Sequence, residues 1–526
     1  MKKKIEEILK KISGKNFPDF LVTENLIEIL VPADGFGEYS TNLALKMAGK
    51  LKKSPQEIAR QLKEAIEKEE KFVHFFEKIE VAGPGFLNFS LSALARTEVL
   101  EKILAQKEKY GSTGWGKGQK IHLDFVSANP TGPIHLGNGR GGPLGDALAC
   151  VLQKVGFEVF REYYVNDFGN QIKVLGHSIL KDEEAQYRGG YIDDLNQKIK
   201  EKDPFLAGQM GAQIILKELI QPALEKLGIS FDGYFSEKSL HENGTVQKVF
   251  AKLKEKDFLY EKDGALWFSA SKFGDEKDRV VKKSSGEITY FGGDIAYHYN
   301  KLAERKFDLA LDVWGADHHG DVTRVKGAME ALGLKGKTEV ILTQNLTVLK
   351  NGQEFKMSKR KGQYICLDDL IEEAGKDAVR FIFLSYSADS PMIFDIDLAK
   401  EKSNKNPVYY VQYASARMAG ILRKTEDKKD QPVDVSFLDN QKEKDLIKHL
   451  MLFPDLVLEI AQTKEVHRLA HYAIRLADRF HSFYQECRIL NEKEDVATAR
   501  RELVKASRIV LVEVLRLLGV GAPEKM

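Results

Sequence analysis

Two short segments, far apart in the chain, carry residue types that together can handle a nucleoside triphosphate. The first is Pro133-Ile-His135-Leu-Gly137-Asn138, which follows the apolar run Ile121 to Val126 and the turn-forming Asn129-Pro-Thr-Gly-Pro133. Strand, glycine-rich turn and helix in that order make main-chain N–H groups and a helix N-terminus face an anion, and glycine lets phosphate approach because no Cβ intervenes. His135 is then a side-chain donor added to the cradle. The second segment is Lys356-Met357-Ser358-Lys359-Arg360-Lys361-Gly362, four cations in one short loop. Such a loop can clamp a triphosphate and neutralise charge as pyrophosphate leaves. A lone histidine between glycines is an ordinary turn, and a lone basic run is an ordinary solvated surface. Their presence in one chain is what points to nucleotide chemistry.

The elements that must position these segments alternate. From about residue 119 strand and helix patterns succeed one another, which argues a parallel sheet covered by helices. Ile121 to Val126 is the first strand. The helix after His135 carries Leu144, Ala147, Leu148, Val151, Leu152 and Val155 on one face, with Pro143 in its opening turn. A second strand is expected over Phe157 to Val165. The stretch from about 176 to 285 is more charged and less regular, and reads as an insertion between two halves of one nucleotide-binding fold. Alternation resumes with a strand at Ile288 to Phe291, a turn at Gly292-Gly293, a helix through Ala296, Tyr299 and Leu302, and strands at Leu309 to Trp314 and Val340 to Leu342.

Residues 1–110 read as a separate small α+β unit. Ser54-Pro55-Gln56-Glu57 has the pattern of a capping box, and strand-like runs Phe72 to Ala82 and Phe86 to Leu91 flank Gly83-Pro84-Gly85. Its aromatics and lysines suit nucleic-acid contact or ordinary packing equally well. Gly111 to Gly118 reads as a linker. Beyond 400 the pattern is helical only, giving a bundle over 401–526 that suits an RNA platform or an oligomerisation unit. The expected whole is a multidomain α/β protein. It has an N-terminal α+β unit, a parallel-sheet nucleotide-binding domain over 111–400 (Rossmann-like, as the resemblance given below implies) with its insertion and the clamp loop 356–362, and an all-α C-terminal bundle.

Composition excludes several classes. Lys+Arg (80) and Asp+Glu (78) nearly cancel, so net charge announces no polyanion partner. Cys150, Cys366 and Cys487 have no Cys-x-x-Cys spacing, so neither structural zinc nor a disulfide framework is indicated. Adjacent His318 and His319 rarely aim at one ion, and no metal ligand set is expected. No signal core or membrane-length apolar run is visible, so a cytoplasmic protein is expected.

The pair formed by Pro133-Ile-His135-Leu-Gly-Asn138 and Lys356-Met-Ser-Lys359-Arg360 resembles the two signatures of class I aminoacyl-tRNA synthetases. Over nearly its full length the chain resembles the arginyl-tRNA synthetases of bacterial type. The shared motifs run in order: Ser127-Ala-Asn129-Pro-Thr-Gly, Tyr164-Val-Asn-Asp167-Phe-Gly-Asn170-Gln, Trp314-Gly-Ala-Asp-His318-His319-Gly, Asp377-Ala-Val-Arg380 and Asn406-Pro-Val-Tyr409-Tyr-Val-Gln412-Tyr413-Ala.

The resemblance implies ATP-dependent attachment of L-arginine to tRNA(Arg) through an arginyl-adenylate, with AMP and pyrophosphate released and Mg²⁺ accompanying ATP. It implies a tRNA-binding N-terminal domain, an anticodon-binding bundle and a monomer. His135, Lys356 and Lys359 would be catalytic by charge stabilisation. Pro133, Gly137, Asn138, Met357 and Ser358 would complete the ATP site. Asp294 would face the guanidinium with Tyr290 beside it; Asp124, Ser127 and Asn129 would hold the α-amino and α-carboxylate groups; His318 would line the same pocket. Tyr409, Gln412 and Tyr413 would be anticodon-domain contacts. Asn138 stands where the class signature has a second histidine, and Arg360 where serine is commonest. A clamp relying more on Lys359 and less on position 138 is therefore expected.

Two other readings compete. A class I relative charging another amino acid would have no use for Asp294 in an apolar pocket. A non-catalytic tRNA-binding paralogue would not need His135, Lys356 and Lys359.

Overall fold

A computed structural model describes the 526 residues except 19, 21–22, 24–25, 34, 355–365 and 426–433, and the side chains of 71 and 73. Lys356, Met357, Ser358, Lys359 and Arg360, expected to clamp phosphate, thus lie outside the described residues.

The central sheet is parallel throughout, and its order among the described residues is Thr338–Thr343, Leu309–Gly315, Lys120–Asp124, Glu158–Val165, Gly233–Ser236. By chain order that is 5-4-1-2-3, the doubly wound arrangement in which ligands sit at the carboxyl ends of the strands where the winding reverses. The reversal lies between Lys120–Asp124 and Leu309–Gly315. Gly233–Ser236 falls inside 176–285, so that stretch is not one uninterrupted excursion. It holds a strand of the sheet, with helices before it and a three-stranded antiparallel sheet (Leu259–Lys262, Ala265–Phe268, Arg279–Lys282) after it.

The strand expected at Ile288 to Phe291 is absent. Ile288 makes only an isolated bridge to Lys282, and helix Tyr290–Tyr299 begins instead. Thr289 decides this: its hydroxyl accepts from Gly292 N at 3.2 Å and donates to Val280 O at 2.8 Å, capping the helix onto the side sheet. A π-helical turn, Asn300–Glu304, continues it.

In the N-terminal unit, Ser54 caps helix Pro55–Glu67 by accepting from Glu57 N. The run from Phe72 enters the sheet only at Phe76; Glu70–Val73 is a helical turn. Gly111 to Gly118 is no free linker: Thr113, Gly116 and Gly118 donate to the carbonyls of Lys154, Val155 and Gly156.

The described bundle helices are Pro407–Arg423, Gln441–Met451, Phe453–Thr463, His467–Glu486 and Glu494–Leu518. The N-terminal unit docks on this bundle through Lys2–Glu459 (2.6 Å), Lys448 Nζ to Gly37 O (2.8 Å) and Tyr110 Oη to Leu450 O (3.2 Å). Arg380, fully buried, joins the bundle to the parallel-sheet unit. It donates to Leu518 O (2.8 Å), Leu227 O (3.1 Å) and Asp146 Oδ2 (2.5 Å). One apolar cluster runs from Ile5 to Val520 across all three units, with two smaller ones around Phe268 and Tyr297.

Candidate active site

The site is built where the sheet reverses. Directly after strand Lys120–Asp124 the chain turns through Val126 at φ +68° and Ser127 at φ +37°. A β-branched residue in the left-handed region is costly, and such strain collects at functional sites. The turn brings Ser127 back under the strand: its hydroxyl donates to Asp124 Oδ1 at 2.5 Å and accepts from Tyr164 N at 2.9 Å. Ser127 thus orients Asp124. Asn129 is exposed on the following turn.

His135 caps the short helix Leu136–Gly139, its Nδ1 accepting from Gly137 N at 3.1 Å, which places the proton of a neutral ring on Nε2. Pro133 is half-buried, and Gly137 and Asn138 are exposed. The long helix Gly141–Lys154 starts one turn later, with Pro143 in its first turn as expected. His135 forms a β-bridge with Cys366, and Leu367 N donates to Ile134 O at 3.0 Å. The histidine turn is thereby stitched to the first residues described after 365. Arg140, which sequence reasoning missed, is buried and spans the carbonyls of Gln344, Ser387 and Ser390, tying the same turn to the far edge of the sheet.

Across the reversal lies a group of carboxylates. Asp294, on the first turns of its helix, has no hydrogen bond or ion pair to its carboxylate among the described residues, and burial pushes its pKa up to about 6. Glu237, buried at the end of strand Gly233–Ser236, is pushed up to about 8 by burial and then by the charges of Asp294 and Asp167. The phenol of Tyr164 is raised well above its ordinary value, by burial first and then by the charges of Glu237, Asp294 and Asp124. Tyr290 is exposed at the mouth beside Gln171 and Glu237. His318 sits on the rim, its pKa raised by Asp321 and, more weakly, by Asp317 and Asp294, with burial opposing. Asp124 has Lys301 Nζ 3.4 Å from its Oδ2, whereas no ion pair to Asp294 or Glu237 is found among the described residues, and carboxylates left without a cation make a receptor for one. Two of them side by side suit a planar guanidinium better than a point charge.

Glu237 was missed by sequence reasoning because nothing local distinguishes it from other acids; its signal is the strand it ends. Of the bundle candidates, Tyr409 and Tyr413 stack with centroids 6.4 Å apart, and Arg417 lies 4.7 Å over Tyr413. Gln412 is placed differently. Its amide donates to Asp377 Oδ2 (2.8 Å) and Gly521 O (2.9 Å), inside the joint with the catalytic unit and committed to the fold.

Comparison with known proteins agrees over the whole length. Residues 1–91 match the family described as arginyl tRNA synthetase N terminal domain. Residues 99–208 and 198–385 match tRNA synthetases class I (R), catalytic domain, and 411–526 match the DALR anticodon binding domain. The arginine–tRNA ligase of Carboxydothermus hydrogenoformans is 44% identical over 93% of this chain and 92% of its own. That of Acetivibrio thermocellus is 41% identical over 100% and 99%. The solved Thermus thermophilus arginyl-tRNA synthetase, 23% identical, superposes over all of both chains with a TM-score of 0.80, a likeness of fold.

Proposed function

The chain belongs to the class I arginyl-tRNA synthetases, and from that premise we propose how its residues divide the work. The enzyme uses ATP to attach L-arginine to tRNA(Arg), forming arginyl-adenylate and pyrophosphate and then arginyl-tRNA and AMP. Asp294 and Glu237 take the guanidinium, and Tyr290 and His318 close the rim. Asp124, oriented by Ser127, takes the α-amino group, and Asn129 lies on the turn beside the carboxylate. Arginine's carboxylate oxygen then attacks the α-phosphorus in line, and the bond to the pyrophosphate oxygen breaks. His135 stabilises the charge gathered in that transition state from the cradle side, with Pro133, Gly137 and Asn138 framing the nucleotide.

Lys356, Met357, Ser358 and Lys359 complete the clamp in this proposal. No side chain becomes covalently attached; catalysis is by position and charge. Mg²⁺ enters with ATP and neutralises the phosphate oxygens, and no described cluster of His, Cys, Asp or Glu has the donor set of a protein-held metal site. In the bundle, the Tyr409–Tyr413 stack with Arg417 offers faces for unpaired anticodon bases. The working form is taken as a cytoplasmic monomer, which sedimentation at the mass of one chain would check. No helix among the described residues is long and apolar enough to cross a membrane.

The observation that carries the residue assignment is the Asp294 carboxylate, without a hydrogen bond or ion pair among the described residues, near Glu237 at the reversal of the sheet. ATP–pyrophosphate exchange with each amino acid, with and without tRNA, tests it. Exchange confined to arginine and appearing when tRNA is added is the expected result. Exchange with a neutral or shorter amino acid would overturn the carboxylate assignment, and none under any condition would favour the non-catalytic reading.

A further inference from the structure

Asp312, Asp124 and Glu162 are direct cross-strand neighbours, so three carboxylates stand in a row on one face of the sheet. Like charges directly opposite repel, and a buried row needs buried cations. Arg305 forks Glu162 at 2.8 Å on both oxygens. The other two share Lys301, fully buried, with Nζ 2.7 Å from Asp312 Oδ1 and 3.4 Å from Asp124 Oδ2. Burial opposes the charge on Lys301, but Asp312 and Asp124 outweigh it and hold its pKa above the ordinary lysine value. The π-helical turn Asn300–Glu304 is what swings Lys301 inward, and such turns are frequent at functional sites. One turn earlier, His298 Nε2 lies 2.7 Å from Asp312 Oδ2 and Nδ1 lies 2.8 Å from the main-chain oxygen of Asp294.

These contacts form one unbroken chain: Ser127, Asp124, Lys301, Asp312, His298, Asp294. At one end Ser127 holds Asp124, assigned above to the α-amino group, and at the other stands the main chain of Asp294, assigned to the guanidinium. The link to Asp294 is to its main chain, so what the chain fixes there is the helix turn that carries the carboxylate. We propose that Lys301 and His298 are positioning residues that fix the span between Asp124 and Asp294, and so select an amino acid with the side-chain length of arginine. The inference rests on the arginine site proposed above. It adds to that site a ruler, held behind the pocket and touching no substrate.

The test compares arginine with homoarginine, one methylene longer, in aminoacylation by the full-length enzyme. In His298→Asn and Lys301→Met, thermal unfolding confirms the fold before kinetics are read. The ratio of kcat/KM for arginine over homoarginine is expected to fall at least fivefold in each, with KM for ATP within twofold of wild type. A folded variant that keeps the ratio within twofold, or one whose KM for ATP rises as much as that for arginine, overturns the proposal. If Lys301→Met does not fold, His298→Asn decides. Asp124→Asn and Asp294→Asn run alongside. If they leave KM for arginine unchanged, the site itself was misassigned; if they raise it at least tenfold while the ratio survives in the relay variants, the relay alone fails.

Discussion

Asp294→Asn keeps the shape of the side chain and removes its charge, leaving a guanidinium without half of its fork. A loss of about 2–4 kcal/mol in arginine recognition is expected, from the cost of unpairing a desolvated ion. An unchanged kcat/KM for arginine would remove Asp294 from the pocket. The same carboxylates set a pH dependence. Asp294 is raised to about 6 and Glu237 to about 8, so the folded, arginine-free protein binds more protons there than the unfolded chain. Their contribution to stability is therefore full below about pH 4 and lost as pH rises through 6 and 8. Arginine pairs with the ionised forms, so its affinity should move the other way. Between pH 6 and pH 8.5, KM for arginine should fall, binding should release protons into the buffer by calorimetry, and thermal protection by arginine should grow. Proton uptake on binding would contradict the assignment. In the clamp, Lys359→Ala should lower pyrophosphate exchange at least tenfold, and exchange near the wild-type rate would remove Lys359 from the phosphates.

Thr289 shows how an element delivers a site. Its cap fixes the first turn of the helix that carries Tyr290 and Asp294. Thr289→Ala should cost about 1 kcal/mol in stability and raise KM for arginine more than KM for ATP; equal changes in both would show the cap to be structural only. The helix was legible in the sequence, but its start was not. Ile288 to Phe291 is apolar enough to read as a strand, and the competing signal is one threonine hydroxyl with a glycine three residues on. Gly233–Ser236 escaped for a related reason, since four residues cannot display an alternating pattern and only pairing with Glu158–Val165 makes them a strand. Long elements behaved otherwise. The helix Gly141–Lys154, the cap at Ser54 and the stop at Gly519 were readable because each is decided by residues a few positions apart. At the site the histidine motif was legible locally. Asp294 was reached only through family resemblance, and Glu237, Lys301 and His298 not at all, because their meaning lies in partners distant along the chain.

At the scale of the molecule, the units are joined by buried polar contacts as well as apolar packing. Arg380 touches segments around 146, 227 and 518, and Gly519 at φ +66° lies so close that a Cβ there would run into the guanidinium. Arg380→Met should cost about 3–5 kcal/mol, because it leaves Asp146 and two buried carbonyls without their donor. A denaturation midpoint within a few tenths of wild type would show the joint to be held by packing alone. The same arginine also ties completion of the fold to time. Its Leu518 acceptor is 138 residues further along the chain. At about 5–20 residues per second, the ribosome needs roughly 7–30 s to add them. Throughout that interval the newborn catalytic unit carries a guanidinium whose last carbonyl has not been made. The enzyme that loads amino acids for translation closes this part of its own interior only after translation has run well past its catalytic unit.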